Sequence, residues 1–198
     1  MTEDDSSLII SPNDLVCHNV LAIAELNCLL DLAKVVRKFK NAEYDASKFN
    51  CVRIRSWKHK CTVAIFSSGK LQVTGASDPG AARMALKECG YRLKTKLGYS
   101  DIIFSNLKMD NILCTFDIGT KMDLFGISRD PELTCTYMPA QFAAAVVRTP
   151  GVVIDVFASG KMNIKGKESI EKICEGVNLL MPKISKHICQ SLEDEDGL

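Results

Sequence analysis

The chain has 198 residues, 46% apolar and 25% charged, which is the make-up of a soluble globular protein with one good core or two small ones, and no apolar run is long enough for a membrane span. Nine scattered cysteines with no Cys-x-x-Cys pair, and three distant histidines, argue against a disulfide framework and a metal site, and point to reduced thiols in cytosol or nucleus. The net charge of +1 is uneven: setting aside Glu3, Asp4, Asp5 and Asp14 at one end and Glu193, Asp194, Glu195 and Asp196 at the other leaves +9 on the middle, which suits a polyanionic partner.

Residues 1–16 read as an acidic N-terminal tail, loosely attached, with no basic-then-apolar order of a secretory signal. His18 to Leu26 is strand-like. Asp31 to Phe39 reads as a short helix, with Leu32, Val35, Val36 and Phe39 at helical spacing. Asn41 to Ser47 is polar and turn-like. Phe49 to Ser56 and Cys61 to Phe66 are predicted strands around the turn Trp57-Lys58-His59-Lys60, and Leu71 to Thr74 is the next strand. Ser77-Asp78-Pro79 supplies an N-cap and an early helical proline, and Gly98 a stop. Between them Ala82, Leu86, Cys89, Leu93 and Leu97 share one helical face, while Arg83, Lys87, Arg92 and Lys94 lie off it.

The order then repeats. Leu107 to Ile118 is strand-like, and Leu124 to Arg129 is a short helix. Ala143 to Val147 and Val152 to Phe157 are strands around Arg148-Thr149-Pro150-Gly151. A last helix starts near Glu168, with Ile170, Ile173, Val177, Leu180, Met181 and Ile184 on one face. The hairpin Phe66-Ser67-Ser68-Gly69-Lys70 recurs as Phe157-Ala158-Ser159-Gly160-Lys161, 91 positions on. Asn19-Val20-Leu21 recurs as Asn111-Ile112-Leu113 at an offset of 92, and Phe49 as Phe142 at 93. Two copies of one unit follow: residues 17–106 and 107–189, with an acidic tail at 190–198. Each copy puts one sheet face against its long helix. The other face, carrying Phe66, is left to a ligand.

At these residues the chain resembles the TATA-box-binding protein family. Lys40-Asn41-Ala42-Glu43-Tyr44, Lys48-Phe49, Ile65 to Lys70 and Val73-Thr74-Gly75 are similar to the family's first repeat. Tyr137, Pro139, Phe142 and Phe157 to Lys161 are similar to its second, and the likeness covers roughly residues 17–187. The resemblance implies an α+β fold: a saddle-shaped pseudo-twofold repeat, with a ten-stranded curved antiparallel sheet and four helices on its convex side. It implies a non-enzymatic nuclear factor that grips promoter DNA in the minor groove and nucleates the initiation complex. Phe49, Phe66, Phe142 and Phe157 match intercalating phenylalanines, which kink a duplex by prising base steps apart. Asn19 and Asn111 match asparagines that donate to groove acceptors, with Leu21, Leu113, Thr74, Gln72 and Asn163 as neighbouring base contacts. Arg55, Lys70, Arg148 and Lys161 match phosphate-reaching residues.

Several positions depart from the family pattern. Asp155 stands two before Phe157, where an apolar residue is usual. Asp110 replaces a glutamine, Lys165 a threonine, His18 a glutamine, and Gln72 and Asn163 replace valines. Two carboxylates on a DNA face are unfavourable unless paired, and Lys165 can neutralise Asp155 from a neighbouring strand. A weakened or altered TATA preference is expected, with the carboxylates open to the guanine amino group, the one minor-groove donor. Tyr137-Met138-Pro139-Ala140-Gln141 lacks the two glutamates that the family offers to transcription factor IIB, so that docking is in question. The basic side of the Arg83 to Lys96 helix matches the surface for transcription factor IIA-like and other polymerase-associated factors. A homodimer through the concave face is a further expectation for the free protein. An interaction platform with little DNA binding is the competing function. No catalytic set supports an enzyme and no cofactor is expected: Ser67-Ser68-Gly69-Lys70 lacks the long glycine-rich loop of a nucleotide site.

Overall fold

The computed structural model describes residues 8–99 and 102–189. Among the described residues there are ten strands, four α-helices and two three-residue 3-10 helices. In chain order the strands and α-helices are β1 (Val16–Leu26), α1 (Leu32–Lys38), β2 (Ala42–Glu43), β3 (Cys51–Ser56), β4 (Cys61–Phe66), β5 (Lys70–Ala76), α2 (Pro79–Leu97) and β6 (Phe104–Asp117). Then come α3 (Leu124–Arg129), β7 (Thr134–Thr136), β8 (Ala144–Thr149), β9 (Val152–Phe157), β10 (Lys161–Gly166) and α4 (Ile170–Ile184). The strands form one sheet in the order β2-β3-β4-β5-β1-β6-β10-β9-β8-β7, and the fold class is α+β with an antiparallel sheet. Among the described residues no helix is long and apolar enough to cross a membrane.

Two compact units divide the chain. The first comprises Cys17–Leu113 with Lys167–Ser169. The second takes Cys114–Gly166, with the described residues from Ile170 onward and up to Val16. The division by contacts falls inside β6, at Leu113/Cys114, and so differs from the boundary between sequence repeats expected at 106/107. Sequence periodicity cannot locate a division inside a continuous strand.

In the first unit, Cys61, Val63 and Ile65 of β4 are buried while Thr62, Ala64 and Phe66 are half-exposed. Period-two alternation thus makes one face apolar, and α2 covers that face at β4 and β5. Asp78 caps α2 by accepting from the Ala81 N–H at 2.7 Å, and Gly98 ends it in the left-handed region at φ 72°. Ala82, Ala85, Leu86, Cys89 and Leu93 form its buried stripe. In the second unit α4 does the same over β9 and β10, through Ile173, Cys174, Val177, Leu180, Met181 and Ile184. Each large aliphatic side chain so buried contributes about 1.5–3 kcal/mol.

Three features differ from the sequence expectation. β2 lies in the stretch Asn41 to Ser47, which reads as a turn, and β7 in a stretch to which the sequence assigns no element. They are too short to show alternation and exist because they pair with β3 and β8, as in Ala42↔Ile54 and Cys135↔Val147. The chain before β1 is not loosely attached over its described part. Ile10 is 2% exposed, and its N–H and C=O are both held by the Asn178 carboxamide of α4, at 2.9 and 2.8 Å. The acidic stretches 1–7 and 190–198 lie outside the described residues.

Candidate nucleic-acid interface

The helix-free face of the first unit is built in transverse rows. Arg55 of β3 pairs with Thr62 of β4, and Thr62 with Thr74 of β5. The next row is Arg53, Ala64 and Gln72. Beyond it, Phe66 ends β4, alternating with buried Ile65, so its ring stands on the uncovered face. Lys70 places its ammonium 6.0 Å from that ring's centroid. Phe49 is 54% exposed, under the Arg53 guanidinium at 5.0 Å.

The β1–β5 ladder breaks its register between Val20↔Ala76 and Ala22↔Val73. Leu21 therefore faces two residues, Thr74 and Gly75, a bulge of the kind that re-aims a side chain. Gly75 makes it possible at φ 87°. The Gly75 N–H donates to Asn19 Oδ1 at 2.7 Å. A backbone N–H can only donate, so this contact turns the carboxamide oxygen inward and leaves the NH2 group as donor. Leu21 is half-buried beside it.

The second unit repeats the rows. Arg148 pairs with Val153 and Val153 with Lys165; Val146 pairs with Asp155 and Asp155 with Asn163. Phe157 closes β9 opposite Ala144. Phe142 is 45% exposed, and its ring meets Phe157 edge-on at 6.0 Å. Arg148 donates to Thr136 Oγ1 at 3.2 Å, and Lys161 is exposed.

The turns that carry the rings match between copies. The Lys48 and Phe49 N–H groups both donate to Asp45 C=O, and those of Gln141 and Phe142 to Met138 C=O. Gly69 N–H donates to Phe66 C=O, and Gly160 N–H to Phe157 C=O. Both glycines have φ near 90° (86° and 90°), and a Cβ on either would collide with a backbone carbonyl oxygen, of Cys28 or of Thr120. That close approach is why glycine stands at both turns.

The departures sort differently. Asp155 is 2% exposed although its alternation puts it on the uncovered face, and Lys165 Nζ lies 2.5 Å from its Oδ2. Asp110 alternates with Asn111 along β6, is half-buried, and has Lys167 Nζ 3.9 Å away. Asn111 and Leu113 alternate with buried Ile112 and Cys114. His18 is exposed. Met138 is 50% exposed, and preceding it Tyr137 meets the exposed ring of Phe125 at 5.2 Å. Sequence reasoning overlooked Arg53 and Trp57. Counting alternate residues from Arg55 along β3 would have put both beside it.

A duplicated sheet unit, backed by helices on one face and bearing paired phenylalanines and flanking cations on the other, defines a class of double-repeat, sheet-platform proteins. The family model for transcription factor TFIID (or TATA-binding protein, TBP) matches residues 14–95 and 106–187, and the chain belongs to that family of DNA-binding transcription factors. It is 35% identical over 161 residues to "TATA-box-binding protein-like 1" of Entamoeba histolytica, covering 80% of this chain and 73% of that protein. It is 31% identical over 171 residues to the TATA-box-binding protein of Saccharomyces cerevisiae, covering 85% and 70%. The solved structure of Methanococcus jannaschii TBP superposes with a TM-score of 0.71 at 29% identity, covering 87% of this chain and 98% of that one. The chain spans 63% to 73% of the lengths of four such curated relatives.

Proposed function

We propose that this protein is a nuclear transcription initiation factor whose helix-free sheet face binds promoter DNA in the minor groove, with one phenylalanine pair in each unit prising a base step apart. The observation that carries this reading is the placement of Phe49 with Phe66 and of Phe142 with Phe157 on matching turns, exposed or half-exposed on the uncovered face. Core phenylalanines would lie under the helices. The freed NH2 of Asn19 suits a groove whose A·T pairs present acceptors. Arg55, Lys70, Arg148 and Lys161 border the rows and reach phosphates, giving affinity without sequence choice.

Lys165 balances the carboxylate of Asp155, so the second unit's row bears no net charge from that pair. The second unit then binds more weakly than the first and reads different steps. That shifts preference away from a strict TATA element. The basic side of α2, with exposed Arg83, Lys87 and Lys94, recruits polymerase-associated and transcription factor IIA-like proteins. Docking of a transcription factor IIB-like protein is altered, because Met138 and Ala140 offer no charge.

Duplex affinity measured against salt tests this. About four phosphate contacts give a slope of log K on log salt near −3 to −4. Replacing A·T by inosine·cytosine pairs keeps the minor-groove acceptor pattern while changing the major groove, so binding is expected to survive it. Affinity without salt dependence, or lost on that replacement, would sink the reading. It would favour a platform that works through protein partners alone.

A further inference from the structure

Trp57 is 68% exposed where β3 enters its turn. It continues the alternation of Arg53 and Arg55 along the strand. The Arg55 guanidinium lies over the indole at 4.8 Å, as that of Arg53 lies over Phe49 at 5.0 Å. One border of the helix-free face is thus a stripe of Phe49, Arg53, Arg55 and Trp57 in which each ring is backed by a guanidinium. The turn itself is pinned: His59 Nε2 sits 3.2 Å from the Glu88 carboxylate of α2, and Lys58 Nζ 3.8 Å from it. Lys60 is exposed in the left-handed region at φ 48°. Four cations (Arg53, Arg55, Lys58 and Lys60) face two carboxylates, Glu43 beside Arg53 and Glu88, so the border is net positive.

The indole has no counterpart in the other repeat, whose turn is Thr149-Pro150-Gly151. Its position is telling. The row Thr74–Thr62–Arg55 crosses two strand spacings, about 10 Å. Arg55 and Trp57 lie at the far end of that row, so a duplex whose groove floor rests over Thr74 meets them with its sugar–phosphate backbone rather than with base edges. Apolar rings beside cations suit a sugar–phosphate backbone, which offers an apolar deoxyribose and a phosphate together.

We propose that Trp57 is an additional nucleic-acid contact, present in the first repeat only, which packs against a deoxyribose of the backbone at the groove border while Arg55 and Lys60 meet the adjoining phosphates. The inference rests on the DNA-binding reading and adds to it a residue outside the repeat symmetry.

Trp57 is the chain's one tryptophan, so intrinsic fluorescence of the full chain reports on it alone. Titration with an AT-rich duplex is expected to quench the emission in step with gel-shift occupancy, and to shield the indole from iodide and acrylamide. Trp57→Ala is expected to weaken binding about tenfold, the loss of apolar area covered on the indole, with an unchanged melting temperature and salt slope. Trp57→Phe is expected to restore most of that loss. Arg55→Ala should lower the salt slope by about one. A duplex that binds with emission and quencher access unchanged overturns the inference and leaves the DNA-binding reading standing; the indole is then a protein-docking residue. If no duplex binds at all, the underlying reading fails and this one with it.

Discussion

Lys165 on β10 and Asp155 on β9 form an ion pair at 2.5 Å, diagonal neighbours across one ladder, with the carboxylate side chain 3% exposed and the lysine side chain 43%. The unequal burial makes the two partners unequal in their consequences. Removing Lys165 strands a charge that water cannot reach. Removing Asp155 leaves an ammonium that can turn to solvent.

Lys165→Leu is therefore expected to lower stability by about 3–5 kcal/mol, the cost of a buried charge left without its partner, and Asp155→Leu to be near neutral. Urea melts of the two variants check this. Asp155→Leu also adds a free cation to the second unit's row, so duplex affinity should rise and the salt slope steepen by up to about one. Equal losses of stability with no gain in affinity would contradict the pairing argument.

The turn glycines differ in their surroundings. Gly98 and Gly69 both have positive φ, 72° and 86°, but a Cβ at Gly98 meets nothing, whereas one at Gly69 strikes the carbonyls of Leu26 and Cys28. Gly98→Ala is expected to cost only the backbone strain, about 1–2 kcal/mol. Gly69→Ala is expected to cost distinctly more and to displace Phe66. Comparing their thermal melts decides it.

Acid should loosen the second unit at a defined place. The His187 imidazole beside Asp130, at 2.8 Å, holds that carboxyl below the usual carboxylate range, helped by the Glu132 backbone N–H. A lowered folded value means the contribution is complete above the unfolded Asp value, about 3.9, and is lost as pH falls through the folded one. Asp130→Asn is expected to be less stable than the parent at neutral pH. The gap should close below about pH 4. Melts from neutral to acid pH measure the difference, and a gap independent of pH would contradict it.

Thiol reactivity should follow burial. The nine cysteines, all among the described residues, form no disulfide, and Cys189 is the exposed one. Burial pushes the Cys89 thiol up to about 12. Its thiolate fraction near neutral pH is then about a thousandfold below that of an ordinary cysteine. Iodoacetamide followed by peptide mass spectrometry should label Cys189 in the native protein and Cys89 only after denaturation.

Much of this architecture was readable in the residues. Asp78-Pro79 and Gly98 bound α2 as capping chemistry requires. The recurring Ser-Gly-Lys turn marked the duplication because each copy needs a glycine against a carbonyl. The meeting of Asp155 with Lys165 followed from strand alternation. What stayed hidden depends on contacts distant in sequence. β2 and β7 are two and three residues long and exist only through their partners. Ile10 is held by a carboxamide 168 positions away, which no local pattern can announce. The bulge at Thr74-Gly75 is supported by Asn19 across 56 positions. Trp57 was legible by parity but sat in a stretch read as a turn.

The most direct measurement is fluorescence energy transfer between dyes on the two ends of a short AT-rich duplex, with the full chain and with Phe66→Ala and Phe157→Ala. The rings are half-exposed, so the variants should fold normally. The expected result is a marked shortening of the end-to-end distance with the parent protein, reduced by each substitution while some affinity remains. A duplex that stays straight when bound, or bends equally with both variants, would contradict the assignment of these phenylalanines as wedges.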